Sequence, residues 1–147
     1  MDTEQNINWA DVFFAIVNTE VFVWDVIDEA LRNDANIALV RYVPLRHLAT
    51  GPLRVQELAS ACGCKRSAMS RLVERMCNDG LVDKCAAESD RRGVVLHITD
   101  EGRKAEERAR TAFDDRLASL FAGCPPEFAE LCLRYSLLLT KRTDSCA

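Results

Sequence analysis

Ser67, Ser70 and Arg71 fall on one side of residues 65–78 when that stretch is wound as a helix, with Glu74 beside them and Lys65 and Arg66 at the N-terminal end. The other side carries Met69, Leu72, Val73 and Met76, the i, i+3, i+4, i+7 spacing of a buried stripe. Serine hydroxyls reach base edges or phosphates, and a guanidinium can meet guanine with two hydrogen bonds. A lysine or arginine at the helix start suits a phosphate contact, which positions without reading sequence. Glu74 is the misfit, because a carboxylate repels phosphate unless it pairs with Arg71 or accepts from a cytosine amine. A second cationic set, Arg91 and Arg92 beside Asp90, lies in the polar stretch 86–93. An arginine on a thin loop can enter a narrow minor groove, where the potential is most negative. The plainer readings of the same residues are a solvated helix face and a solvated turn.

Such residues work only if rigid elements aim them. Residues 55–61, VQELASA, form a first short helix, and Cys62-Gly63-Cys64 a tight turn in which glycine can take φ > 0. The helix 65–78 follows, ended by Gly80. Two strands come next, 81–85 and 94–98, the second alternating Val94, Leu96 and Ile98 with Val95 and His97. Thr99 is placed to cap a new helix over 100–121, with Asp100 and Glu101 in its first turn. Pro125 and Pro126 start a last helix that runs to about 141.

Ahead of this block, residues 8–32 read as a long helix. Phe13, Ile16, Val17, Trp24, Ile27 and Leu31 make one face, but Phe14, Val21, Phe22 and Val23 fall elsewhere. A helix apolar on more than one side must be covered from more than one side, which favours burial against a partner subunit. Asn33-Asp34 are expected to break it. A second helix is expected over 36–49, kinked or split at Pro44, because proline lacks the N–H and clashes with the preceding turn. Leu53-Arg54 are candidates for a third strand of the hairpin sheet. The fold class is α+β, mostly helical.

The run GCKRSAMSRLVERMCNDGLVDK followed by DRRGVVLHITDEGR resembles the core of the MarR family (multiple-antibiotic-resistance regulators). The family wing motif, Asp-x-Arg and then [Leu/Ile]-Thr-x-x-Gly, matches Asp90, Arg92, Ile98, Thr99 and Gly102, and the resemblance covers roughly residues 36–104. It implies a winged helix-turn-helix domain at 36–99 and a helical dimerisation region at 8–32 plus 100–141, in one compact chain. It implies double-stranded DNA as partner, with a palindromic operator bound by a homodimer. Lys65, Arg66, Ser67, Ser70 and Arg71 would meet DNA from the recognition helix, and Arg91 and Arg92 from the wing. In the family the second wing arginine enters the minor groove and the aspartate steadies it, roles that carry to Arg92 and Asp90. Lys65 stands where the family usually has Ser, Thr or Asp as helix cap. A repressor is expected, released by thiol oxidation or by a small aromatic or other effector wedged between the dimer helices and the winged domain. Phe13, Val17, Tyr42 and Arg46 are the candidate pocket walls.

Composition sets the remaining bounds. The 147 residues carry a net charge of −4, but the span from Arg54 to Lys104 holds 10 basic and 8 acidic residues against 9 and 15 in the remainder. A weakly basic centre between acidic flanks fits a local nucleic-acid footprint. Seven cysteines in a reducing cytosol are mostly free thiols. Cys64, just before a helix N-terminus and beside Lys65 and Arg66, is the redox candidate, with Cys62 two residues away. Cys85, Cys124, Cys132 and Cys146 are the other thiols an oxidant could reach. With no CxxC pair and two histidines a zinc site is not expected, and His47 and His97 read as structural. No phosphate loop, GxSxG or HExxH is present, so no enzyme and no cofactor are expected. No secretory or membrane-spanning stretch is visible, and the expected location is the cytoplasm. The alternative function is a winged helix used for protein contact without DNA binding.

Overall fold

Asn8 starts the first helix: its side-chain oxygen accepts from the Ala10 N–H at 3.1 Å. In the computed structural model, which describes residues 7–87 and 90–143 and the side chains of 7–86 and 94–136, this helix, α1, runs Trp9–Ala35. It therefore passes through Asn33-Asp34, where a break was expected. Exposed asparagine and aspartate cost a helix only a fraction of a kcal/mol, roughly 0.7 at most. Leu31 and Ala35, both buried, hold the last turn against the core. The helix stops one residue later, at Asn36, which takes the left-handed conformation (φ 52°) that asparagine tolerates.

The second helix, α2, spans Leu39–Thr50, starting later than the expected residue 36. Its start is fixed from α1, whose Asp28 Oδ1 accepts from the Leu39 N–H at 2.6 Å. Pro44 lies inside α2, which is not split there. One hydrogen bond is lost, but Tyr42, Pro44, Leu45 and Leu48 are all buried, and that packing outweighs one missing bond.

The next block follows the expected order. Helix α3 is Val55–Ala61, Gly63 turns the chain at φ 64°, and α4 is Arg66–Asn78 with Lys65 as N-cap. Gly80 closes α4 at φ 73°. Its N–H donates to the Cys77 carbonyl and the Leu81 N–H to the Met76 carbonyl, the paired bonds of a Schellman end. Strands β1 (Val82–Ala87) and β2 (Asp90–Ile98) pair antiparallel from Val82↔Ile98 to Ala86↔Val94. Both outrun the expected 81–85 and 94–98, so the polar stretch 86–93 is largely strand and not loop. A ribbon facing water needs no apolar side chains to extend, only backbone pairing. Leu53 bridges Leu96 as the third strand position, while Arg54 is the N-cap of α3.

Helix α5 is Asp100–Leu120 and α6 is Pro126–Thr143, with Gly123 at φ 80° between them. The chain forms two compact units, Met1–Arg116 and Leu117–Ala147. The first holds the core: Ile27 and Leu31 of α1, Tyr42, Leu45 and Leu48 of α2, Leu58 of α3, Met69, Val73 and Met76 of α4, Leu96 of β2, and Ala105 and Ala109 of α5. The C-terminal half of α1 and Ala105 and Ala109 of α5 thus share a core with the winged block. In the second unit Phe121 and Phe128 pack at 6.4 Å. Among the described residues no helix is long and apolar enough to cross a membrane.

Candidate nucleic-acid interface

Burial of Met69, Leu72, Val73 and Met76 turns the opposite side of α4 outward. Ser67, Arg71 and Glu74 are exposed there, as are Lys65 and Arg66 at the helix start, while Ser70 is half-buried at the flank. Lys65 makes no side-chain cap, so the first N–H groups of α4 are left to solvent or to an incoming anion, beside two cations. Arg75, one turn beyond Arg71 and exposed, belongs to the same face and was missed by the sequence reading. Its signal was the i, i+4 spacing from Arg71. Its Nε donates to the Arg71 carbonyl at 3.4 Å.

Glu74 does not pair with Arg71. It takes the ammonium of Lys84 on β1, so a contact between recognition helix and wing neutralises it. The far end of α4 is held too, by Arg41 of α2, whose Nη1 lies 2.7 Å from Asp79 Oδ2.

The wing backbone places Asp90, Arg91 and Arg92 at the start of β2. Ala86 faces Val94 and Ala87 faces Asp90, so the register shifts between Ala86 and Ala87, and among the described residues 91–93 have no partner on β1. The side chains of these three residues lie outside the described residues.

Of the four pocket candidates, the structure brings two together. Tyr42 and Arg46 of α2 share Phe113 of α5, at 5.1 Å between the rings and 5.5 Å from guanidinium to ring centroid. Tyr42 is fully buried and its hydroxyl has no hydrogen-bond partner among the described residues. Burial pushes its phenol above the ordinary value. Phe13 is 59% exposed and Val17 half-buried, in the part of α1 before Ile27, where full burial begins. Two clefts occur elsewhere, of about 440 Å³ around Ile37, Val40 and Arg41 and about 270 Å³ around Val26, Ala30 and Arg116, and none of the four candidates lines either.

Cys64 is exposed, and its backbone N–H donates to the Ala59 carbonyl at 3.0 Å. Cys62 is half-buried, and burial, with Cys64 adding to it, pushes its thiol up to about 11. Cys62 therefore stays a protonated, poorly nucleophilic thiol near neutrality. Cys85, Cys124 and Cys132 are exposed, and Cys146 lies outside the described residues. No metal-binding group of three or more His, Cys, Asp or Glu occurs among the described residues.

Comparison with known proteins agrees with this geometry. A family model described as MarR family matches residues 44–93, from Pro44 into the start of β2. The chain is 33% identical over 67 residues to the HTH-type transcriptional regulator BilQ of Clostridium symbiosum, a match covering 44% of this chain and 46% of that protein. The chain thus matches about half the length of this curated relative. Over nearly its whole length it is similar to Sco3205 of Streptomyces coelicolor, a MarR family transcriptional regulator solved in complex with DNA: TM-score 0.82, 26% identity, 95% of this chain and 92% of the other covered. CouR of Rhodococcus jostii, solved bound to p-coumaroyl-CoA, shares the fold at TM-score 0.76 and 23% identity, over 86% of this chain and 89% of its own. Helix, turn, helix and wing define a winged helix-turn-helix protein. Over the matched span the chain is similar to MarR family proteins.

Proposed function

We propose that this chain is a sequence-specific DNA-binding transcriptional regulator, a repressor that binds a palindromic operator as a homodimer. The observation that carries this is the outward face of α4. Ser67, Arg71 and Arg75 stand on a helix whose far side is locked into the core, with Lys65 and Arg66 at its open N-terminus. A wing hairpin flanks that helix, with Arg91 and Arg92 near its tip and Asp90 to steady Arg92. The DNA complex of Sco3205 supports the same use of the fold. Two such helices meet two major-groove half-sites about 34–36 Å apart, one helical turn.

The homodimer rests on apolar surface. Trp9, Phe13, Phe14, Ile16, Val21, Phe22 and Trp24 of α1 are exposed, as are Phe128, Leu131, Leu133 and Tyr135 of α6. Exposed apolar side chains clustered on a helix in this way mark an interface. Release comes from a small molecule at the Tyr42–Arg46–Phe113 cluster, with Phe13 and Val17 brought to it by the partner, or from oxidation at Cys64. The CouR complex supports a small-molecule effector. No cofactor and no catalytic activity enter this reading, and the place of action is the cytoplasm.

Selection of bound sites from random duplexes, followed by titration over a range of salt, tests the reading. The expected result is an enriched inverted repeat whose affinity falls steeply with salt. A protein that enriches no sequence and shows no salt dependence is instead a winged helix for protein contact.

A further inference from the structure

Lys84 lies between Asp83 and Cys85 on β1, and its register partner on β2 is Leu96. Directly opposed residues of an antiparallel pair point to the same face of the ribbon. Leu96 and Val82 are fully buried, so Lys84 belongs to the inward face, toward α4, although its strand edge is wet. Its ammonium reaches Glu74, which stands on the outward side of α4 beside Ser70 and Arg71. The side chains are 36% and 63% exposed, so the pair adds little to stability. Its effect is on charge and direction: the only carboxylate among the outward residues from Arg66 to Arg75 is neutralised and drawn toward the wing.

We infer that Lys84 is a specificity-setting residue that acts through Glu74, holding this carboxylate off the bases and phosphates that Ser70 and Arg71 would otherwise share with it. The inference rests on the DNA-binding reading above. Without Lys84 the carboxylate is free to repel phosphate and to accept from a cytosine N4 amine, the one base-edge group in the major groove that suits it beside adenine N6. Loss of the lysine therefore lowers affinity for the parent operator and adds a preference for cytosine at one position.

The experiment is a double-mutant cycle on the full chain with its selected operator: parent, Lys84→Gln, Glu74→Gln and the double variant, each at several salt concentrations, with site selection repeated for Lys84→Gln. The expected loss for Lys84→Gln is roughly tenfold, and Glu74→Gln should recover roughly tenfold more affinity in that background than in the parent, the size of coupling that contacting residues show. Cytosine should be enriched for Lys84→Gln and not for the double variant. Equal losses on Lys84→Gln with either residue at 74, with the salt slope reduced by about 1, would make Lys84 a plain phosphate contact and overturn the inference. No loss for Lys84→Gln overturns it as well. A parent that binds no duplex defeats the DNA-binding reading itself, whereas a parent that binds with no coupling defeats only this inference.

Discussion

The hydroxyl of Thr99 donates to the carbonyl of Gly80 at 2.7 Å. The same oxygen accepts from the Gly102 N–H at 2.9 Å, and the Thr99 backbone N–H donates to the Leu81 carbonyl at 3.1 Å. One residue thus caps α5 and ties it to the turn that ends α4. Thr99→Val removes both side-chain bonds while keeping the shape. It should lower stability by about 1–2 kcal/mol, the loss of a helix cap, read as a lower urea midpoint with an unchanged slope.

Gly102 faces the same turn. A Cβ there would run into the Leu81 carbonyl and come within 2.8 Å of Ile98 Cγ1. Glycine to alanine inside a helix ordinarily stabilises, by about 1 kcal/mol. Here the sign should reverse, with Gly102→Ala destabilising by about 1–3 kcal/mol, since a backbone carbonyl cannot step aside as a flexible side chain can. Thermal melting of the two proteins decides the sign.

Asp28 predicts a pH dependence. Burial pushes its carboxyl up, but the Arg32 guanidinium and the Leu39 N–H outweigh burial and hold it below its ordinary value. A lowered folded-state value means stabilisation that is fully present above the unfolded-state value and is lost as pH falls through the folded one. The parent should therefore lose more stability on acidification than Asp28→Asn does. Denaturant midpoints for both, taken from neutral pH down through the carboxylate range, check this; parallel curves would remove Asp28 from the account.

On DNA, Arg71→Ala should cost about 1–3 kcal/mol of specific binding and relax the preference at one position. Lys65→Ala should weaken specific and non-specific binding alike, because a phosphate contact carries no sequence information. Competition titrations with operator and random duplex separate the two patterns.

Mild peroxide should weaken operator binding reversibly through Cys64, the exposed thiol at the turn before α4. Cys62, its thiol pushed up to about 11 by burial, should not react first. Binding measured before peroxide, after it and after a reductant, for the parent and Cys64→Ser, is the check. Loss in both proteins moves the effect to another exposed thiol such as Cys85.

The elements that a reader of the sequence can name are those whose signal is local. The stripe of Met69, Leu72, Val73 and Met76, the turn at Gly63, the cap at Thr99 and the stop at Gly80 each depend on neighbours in the chain. Three features escaped for the opposite reason. Asn36 rather than Asn33 ends α1, because burial of Leu31 and Ala35 in the core carries the helix past Asn33. Pro44 leaves α2 whole because its surroundings are buried. The partner of Glu74 is Lys84, ten positions on, and only the register of β1 against β2 brings them together.

The exposed aromatic half of α1 also bears on how the protein is made. In chain order α1 precedes every other described element, so Trp9, Phe13, Phe14 and Phe22 leave the ribosome before any residue of the winged core. Even the finished fold of a single chain leaves them in water. A nascent helix of this kind must find cover from a chaperone or from a sister chain on a neighbouring ribosome. Soluble yield should therefore vary inversely with the rate of synthesis, rising when translation is slowed and holdases are abundant.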